Sequence, residues 1–178
     1  MDTLKDLYLN HGIFGHPSEG VWGLGCNPFS QRAVKNLFSV KNRPKNKSFI
    51  ILAGHQNQID IFLAELSEFD LKKTFEKWPG PHTWLIPAAK KVPSWLIGDT
   101  GLVALRLSNH SKVIEVTKEL GGPICSTSAN LSGEPPAKTK LEMKKIFGPD
   151  LFIVDGELGK LNKPTPVQEL ITGKWIRK

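Results

Sequence analysis

Residues 110–130, HSKVIEVTKELGGPICSTSAN, hold a helix, a stop, a strand and a polar loop in unbroken order. Val113, Ile114, Thr117 and Leu120 recur at helical spacing, which predicts a helix over 110–120. Gly121-Gly122-Pro123 ends it, because glycine accepts the left-handed turn that closes a helix and proline cannot continue one. A short apolar run then predicts a strand over 124–127, which delivers Ser128-Ala129-Asn130 at its carboxyl end. Strand ends of this kind are where sheets flanked by helices collect ligands, since loops there present polar groups without breaking a ladder.

The same alternation runs through the rest of the chain. Leu4, Leu7 and Tyr8 predict a short helix over 3–10, followed by a strand over 12–16. Gly20, Gly23 and Gly25 then permit tight turns and close approach of backbone to a ligand. Ser30 is a good N-cap for a helix carrying Ala33, Val34, Leu37 and Phe38, which runs toward a basic loop over 41–47. A strand over 49–53, helices over 58–66 and 71–78, and strands over 82–88 and 102–107 follow, the last placing Arg106 at its end. Beyond the opening stretch come a helix over 141–147, a strand over 151–154, and a terminal pair over 167–171 and 175–177. These elements predict an α/β domain with a mixed sheet. No repeat, low-complexity tract or linker interrupts residues 1–178, so one domain is expected.

At 178 residues with 39% apolar content, the chain is long enough to bury a core without disulfides or a metal. No apolar run approaches the ~20 residues of a membrane span, and residues 1–7 lack the basic-then-apolar order of a signal peptide. Cys26 and Cys125 form no CxxC and have no histidine at metal-ligand spacing, so they read as small core residues in a reducing cytoplasm. No metal ligands are nominated.

The net charge is +7, and Lys41, Arg43, Lys45 and Lys47 place four cations within seven residues. A charge run is by itself a solvated loop. Paired with Ser126, Ser128 and Asn130 it takes on another meaning. Lys and Arg neutralise a polyphosphate, Arg in a planar bidentate contact, while small hydroxyl and amide side chains bond its oxygens at close range. The combination predicts a nucleotide-phosphate site, with Lys41 and Arg43 on a polar loop outside the apolar pattern. Glu19 offers a carboxylate that could act as a base, although it could equally brace a turn or a cation. Trp22, Trp84 and Trp95 read as core rather than base-stacking platforms.

Six stretches in order carry a resemblance. They are Pro17-Ser18-Glu19-Gly20-Val21-Trp22-Gly23-Leu24-Gly25-Cys26, Lys41-Asn42-Arg43-Pro44, Trp78-Pro79-Gly80-Pro81-His82-Thr83, Val103-Ala104-Leu105-Arg106, Ser126-Thr127-Ser128-Ala129-Asn130-Leu131-Ser132-Gly133 and Pro164-Thr165-Pro166-Val167. With them the chain resembles the YrdC-like family, the threonylcarbamoyl-AMP synthases of tRNA modification, in its short single-domain form. The resemblance implies a three-layer fold, a twisted mixed sheet flanked by helices with a basic concave groove. It also implies nucleotidyl transfer, joining L-threonine, bicarbonate or CO2, and ATP into threonylcarbamoyl-AMP and pyrophosphate, with Mg2+ accompanying ATP.

By the same resemblance, Lys41, Arg43, Ser128 and Asn130 form a catalytic tetrad. These four, with Arg106, Ser126 and Thr165, bind the nucleotide, and Ser18, Arg43 and Arg106 bind the amino-acid substrate. Ser18 stands where the family typically has threonine, Gly20 replaces a position that can be a second threonine, and Pro166 departs from a common Ser-Thr pattern. The implied partners are tRNA or double-stranded RNA and proteins of the threonylcarbamoylation pathway. Two other readings share these features. An RNA-binding module would use the basic groove for phosphate contacts. A carbamoyl-adenylate domain of hydrogenase maturation would share the nucleotide motifs, though it normally sits inside a much longer protein.

Overall fold

Helix starts follow the capping chemistry written in the sequence. The computed structural model describes residues 3–44 and 48–178; Met1, Asp2, and Lys45 and Lys47 of the basic run lie outside the described residues. Thr3 and Asp6 cap α1 (Leu4–Leu9) reciprocally, each side chain accepting the other's backbone N–H. Ser30 Oγ accepts the Ala33 N–H at 3.1 Å and starts α2 (Gln31–Lys41). The helix expected over 58–66 is instead a 3-10 turn, Gln56–Gln58, followed by a single turn, α3 (Asp60–Leu63). Gln58 explains the difference: its amide accepts from the Gly54 and His55 N–H groups and donates to the Thr117 carbonyl, so it ties a turn. Ser67 caps α4 (Glu68–Phe75), which therefore starts and stops three residues before the expected 71–78. Helix α5 (Ser111–Leu120) closes on Gly121 at φ 71°, and Thr139 caps α6 (Lys140–Phe147).

The strands are β1 (Phe14–His16), β2 (Gly23–Cys26), β3 (Ile50–Ala53), β4 (Thr83–Pro87), β5 (Leu102–Leu107), β6 (Ile124–Ser128), β7 (Val167–Glu169) and β8 (Trp175–Arg177). They form one mixed sheet in the order β1-β2-β6-β3-β5-β4-β7-β8, parallel only at β3–β5 and β4–β7. Strand β2 occupies a glycine-rich stretch that the sequence marked for turns. The strand expected over 151–154 reduces to an isolated parallel bridge between Gly15 and Ile153, because only Gly15 of β1 bonds it, through Phe152 O and the Val154 N–H. Strand β7 stops at Glu169, whose carbonyl takes the Gly173 N–H that turns the chain into β8.

Register sorts the side chains into two faces. Leu24, Cys26, Ile51, Leu105 and Cys125 share the face that packs with Ala33, Val34 and Leu37 of α2 in the main core. Cys26 and Cys125 are register partners, both free and buried, on this core face. The opposite face carries Phe14, Leu52 and Ile124 under α1 and α5, in a smaller core with Leu4, Tyr8, Val113 and Leu120. Helices on both faces of one sheet make the three layers. Further along that second face the register places His16, Gly23, Ser126, Ser128, Ile50 and Arg106, and the helical cover ends there. Among the described residues no helix is long and apolar enough to cross a membrane.

Candidate active site

The uncovered half of that face is a cavity of about 110 Å³. Ser18, Arg43, Arg106, Ser126, Ser128 and Thr165 all line it, so six of the eight residues singled out in the sequence converge. Lys41 and Asn130 stand behind the wall.

Lys41 corrects its sequence assignment to a polar loop. It is the last residue of α2, only 2% exposed, and Asn42 ends the helix just beyond it in the left-handed conformation at φ 49°. Val34, Leu37 and Lys41 follow the helical repeat, so the lysine extends the buried stripe toward the loop after β6. Its ammonium donates to the carbonyls of Ser128 at 2.5 Å and Asn130 at 2.6 Å, and to Asn130 Oδ1 at 3.1 Å. All three N–H groups are thereby spent on one loop. Burial, with the Arg43 charge second, holds its pKa down to about 8. Asn130 is the other hub, accepting the Ser128 hydroxyl at 2.6 Å and donating to Glu134 O at 2.5 Å.

Arg106 lies on the cavity floor, 4% exposed. Its Nη2 meets Glu19 Oε2 at 3.0 Å, its Nη1 donates to the Thr165 hydroxyl, and its buried Nε has no partner among the described residues. Glu19 is thus a brace, tied to Arg106 and to the Ser108 hydroxyl at 2.6 Å, and is spent as a base. Burial lowers the Arg106 pKa while the Glu19 carboxylate opposes the shift. Arg43 donates to Ser48 O at 3.0 Å and lies 5.2 Å from the Phe49 ring centroid. Burial and then Arg177 lower its pKa.

Arg177 is a site residue the sequence reading missed. It lines the cavity from β8 and donates from Nε to Thr165 O at 2.8 Å. Its only signal was a basic residue in a short terminal strand. At Gly20 any Cβ would stand 2.4 Å from Lys163 O, so the 161–163 segment closes directly over that backbone and leaves no room for a threonine. Trp22 and Trp84 are buried in the main core, and Trp95 packs against it with its indole donating to Pro28 O.

Three serine hydroxyls of the cavity share an orientation. Ser18 donates to Val21 O at 2.9 Å and Ser128 to Asn130 Oδ1. Ser126 lies 3.1 Å from Nε2 of His16, whose Nδ1 faces Pro17 O, also at 3.1 Å. A carbonyl only accepts, so Nδ1 carries the ring proton and Nε2 takes the Ser126 proton. With their protons committed, these hydroxyls present lone pairs, while Arg43, Arg106 and Arg177 present charge. Burial holds the His16 pKa at about 4. Among the described residues no group of three or more His, Cys, Asp or Glu side chains gathers.

The Sua5/YciO/YrdC family model, described as telomere recombination, matches residues 7–178. The chain is 40% identical to the threonylcarbamoyl-AMP synthase of Yersinia pestis and 38% identical to that of Cellvibrio japonicus, each over 93% of this chain and 88% of the relative. Its structure matches that of P. abyssi Sua5 complexed with L-threonine at a TM-score of 0.84 and 27% identity. That match covers 94% of this chain and 49% of the other, so the chain spans about half the length of Sua5.

Proposed function

The chain belongs to the Sua5/YciO/YrdC family, and on that premise we propose that it is an enzyme, a threonylcarbamoyl-AMP synthase of one domain. The observation that carries the reading is its 38–40% identity to synthases of that name over nearly the whole of both chains. The cavity supplies a physical rationale. L-threonine adds through its amine to CO2, releasing a proton, and an oxygen of the resulting carbamate displaces pyrophosphate from the α-phosphorus of ATP. Nucleophile and target are both anionic, so the reaction needs neutralising charge and alignment more than a strong base.

Arg106 suits the threonine carboxylate by its charge, and Ser18 lines the same cavity. Arg43 and Arg177 suit the phosphates, and Thr165, whose hydroxyl accepts from Arg106, has its own proton to donate to them. Lys41 and Asn130 hold the Ser128 loop to the shape the phosphates require. The cavity volume is below the ~300 Å³ at which pockets begin to enclose a whole drug-sized ligand. ATP would therefore extend beyond its mouth. Mg2+ belongs to this reading as the ion that ATP brings. The product would feed threonylcarbamoylation of tRNA in the cytoplasm, with partner proteins of that pathway and with tRNA drawn to the +7 chain.

The test is pyrophosphate release by the purified protein with ATP, Mg2+, bicarbonate and L-threonine, with mass detection of the adenylate. Release that needs threonine and is lost with serine is the expected result. Folded protein that yields no adenylate but binds RNA in a steeply salt-dependent way would replace this reading with the RNA-binding module.

A further inference from the structure

His16 and Ser126 stand two strands apart, and the sheet between them is cleared to let them meet. The imidazole belongs to β1 and the serine to β6, with β2 between. At the crossing β2 carries Gly23 and Gly25. A Cβ at Gly23 would lie 2.6 Å from His16 Nε2, and one at Gly25 would lie 2.9 Å from the Phe14 ring and 3.2 Å from His16 Cδ2. Glycine inside a strand sacrifices stability. Here it opens the channel through which a buried ring, 1% exposed, reaches a cavity hydroxyl.

We infer that His16 is a positioning residue that turns Ser126 Oγ into a fixed acceptor for the amino group of the amino-acid substrate, an assignment that rests on the synthase reading above. The Pro17 carbonyl fixes the tautomer, the bare Nε2 takes the serine proton, and the lone pairs of Oγ are left to face the cavity. A hydroxyl that donates to a neutral ring becomes a better acceptor in turn. The arginines of the cavity serve the anionic parts of the substrates and repel an amine. Threonine's nitrogen remains an N–H donor as ammonium, as amine and as carbamate, so one uncharged acceptor serves it throughout. Burial keeps the ring uncharged at neutral pH, which prevents it from adding a fourth positive charge.

The experiment combines calorimetric titration of L-threonine with nitrogen-15 NMR of the histidine rings in the wild type, His16→Phe, His16→Gln, Ser126→Ala and the double variant His16→Phe/Ser126→Ala. His16→Phe and Ser126→Ala should each weaken threonine binding about tenfold or more, the usual scale for a hydrogen bond to a charged group. For His16→Phe, ATP binding should move less than about twofold. The double variant should be no worse than either single one, and glutamine, which restores an acceptor, should recover part of the loss. In the wild type His16 Nε2 should resonate as an unprotonated nitrogen and shift on Ser126→Ala.

A proton on Nε2 would overturn the inference. So would His16→Phe or Ser126→Ala, either of them folded, that binds threonine as the wild type does, because a purely structural histidine would change only the melting temperature. Absence of pyrophosphate release with threonine binding intact would sink the synthase reading while these arms still decide the role of His16.

Discussion

Lys41 shows how a single residue can shape the wall of a cavity without lining it. Its ammonium is the donor for three oxygens of the Ser128–Asn130 loop, so removing it strands buried acceptors and releases the loop. Lys41→Met is expected to cost about 2–3 kcal/mol in urea unfolding. It should also lower turnover about a hundredfold, the scale of a displacement of about 1 Å at a reacting centre. A variant with wild-type turnover would show that the loop needs no tie. The charge also sets an alkaline limit. Lys41 is an ammonium below about 8 and loses one of its three N–H groups above it, so kcat should fall as pH rises through that value. A rate that stays level well above pH 8 would separate catalysis from this amine. The sequence contained the clue to its burial, since Lys41 occupies the position after Val34 and Leu37 on the stripe of α2. A lysine there was read by its charge rather than by its place in the repeat.

At the level of elements, caps and stops were the legible part. Ser30 and Gly121 perform the end-of-helix chemistry their identities announce, whereas Ser67 starts α4 three residues before the expected helix. What could not be read was set by tertiary partners. Strand β2 looks like a turn because Gly23 and Gly25 remove the alternating side chains that reveal a strand; those positions are empty to make room for a neighbour's ring. Arg177 escaped for a related reason, as nothing local to its three-residue strand shows that β8 will lie at the mouth of the cavity. Deleting residues 174–178 tests that strand. Every β8 residue is exposed, so the loss of stability should be about 1–2 kcal/mol. KM for ATP should rise about tenfold as one phosphate-facing cation disappears. An unchanged KM would confine β8 to a structural edge.

For the whole molecule, the buried groups of the site give the fold an acid sensitivity that can be assigned. His16 has a pKa of about 4 in the folded chain against 6.5 as its ordinary value. The unfolded chain therefore binds the extra proton first as pH falls. Its contribution to stability is complete above 6.5 and is lost as pH falls through about 4, up to about 3 kcal/mol in all. Urea midpoints measured across that window should fall more steeply for the wild type than for His16→Phe, and parallel slopes would place the acid sensitivity elsewhere. The alternation of helices and strands made the layers predictable, but not the order that brings β1, β6 and β8 around one cleft, because that order depends on pairings between distant residues. The span of those pairings has a consequence in time. The cavity takes walls from Ser18 to Arg177, so a nascent chain has no complete site until β8 has left the ribosome and joined the sheet. Domains begin to fold as they emerge, yet every shorter intermediate of this one would lack a cation at the mouth of its cleft. ATP turnover would then begin only after Arg177 has been made and has taken its place in the cavity wall.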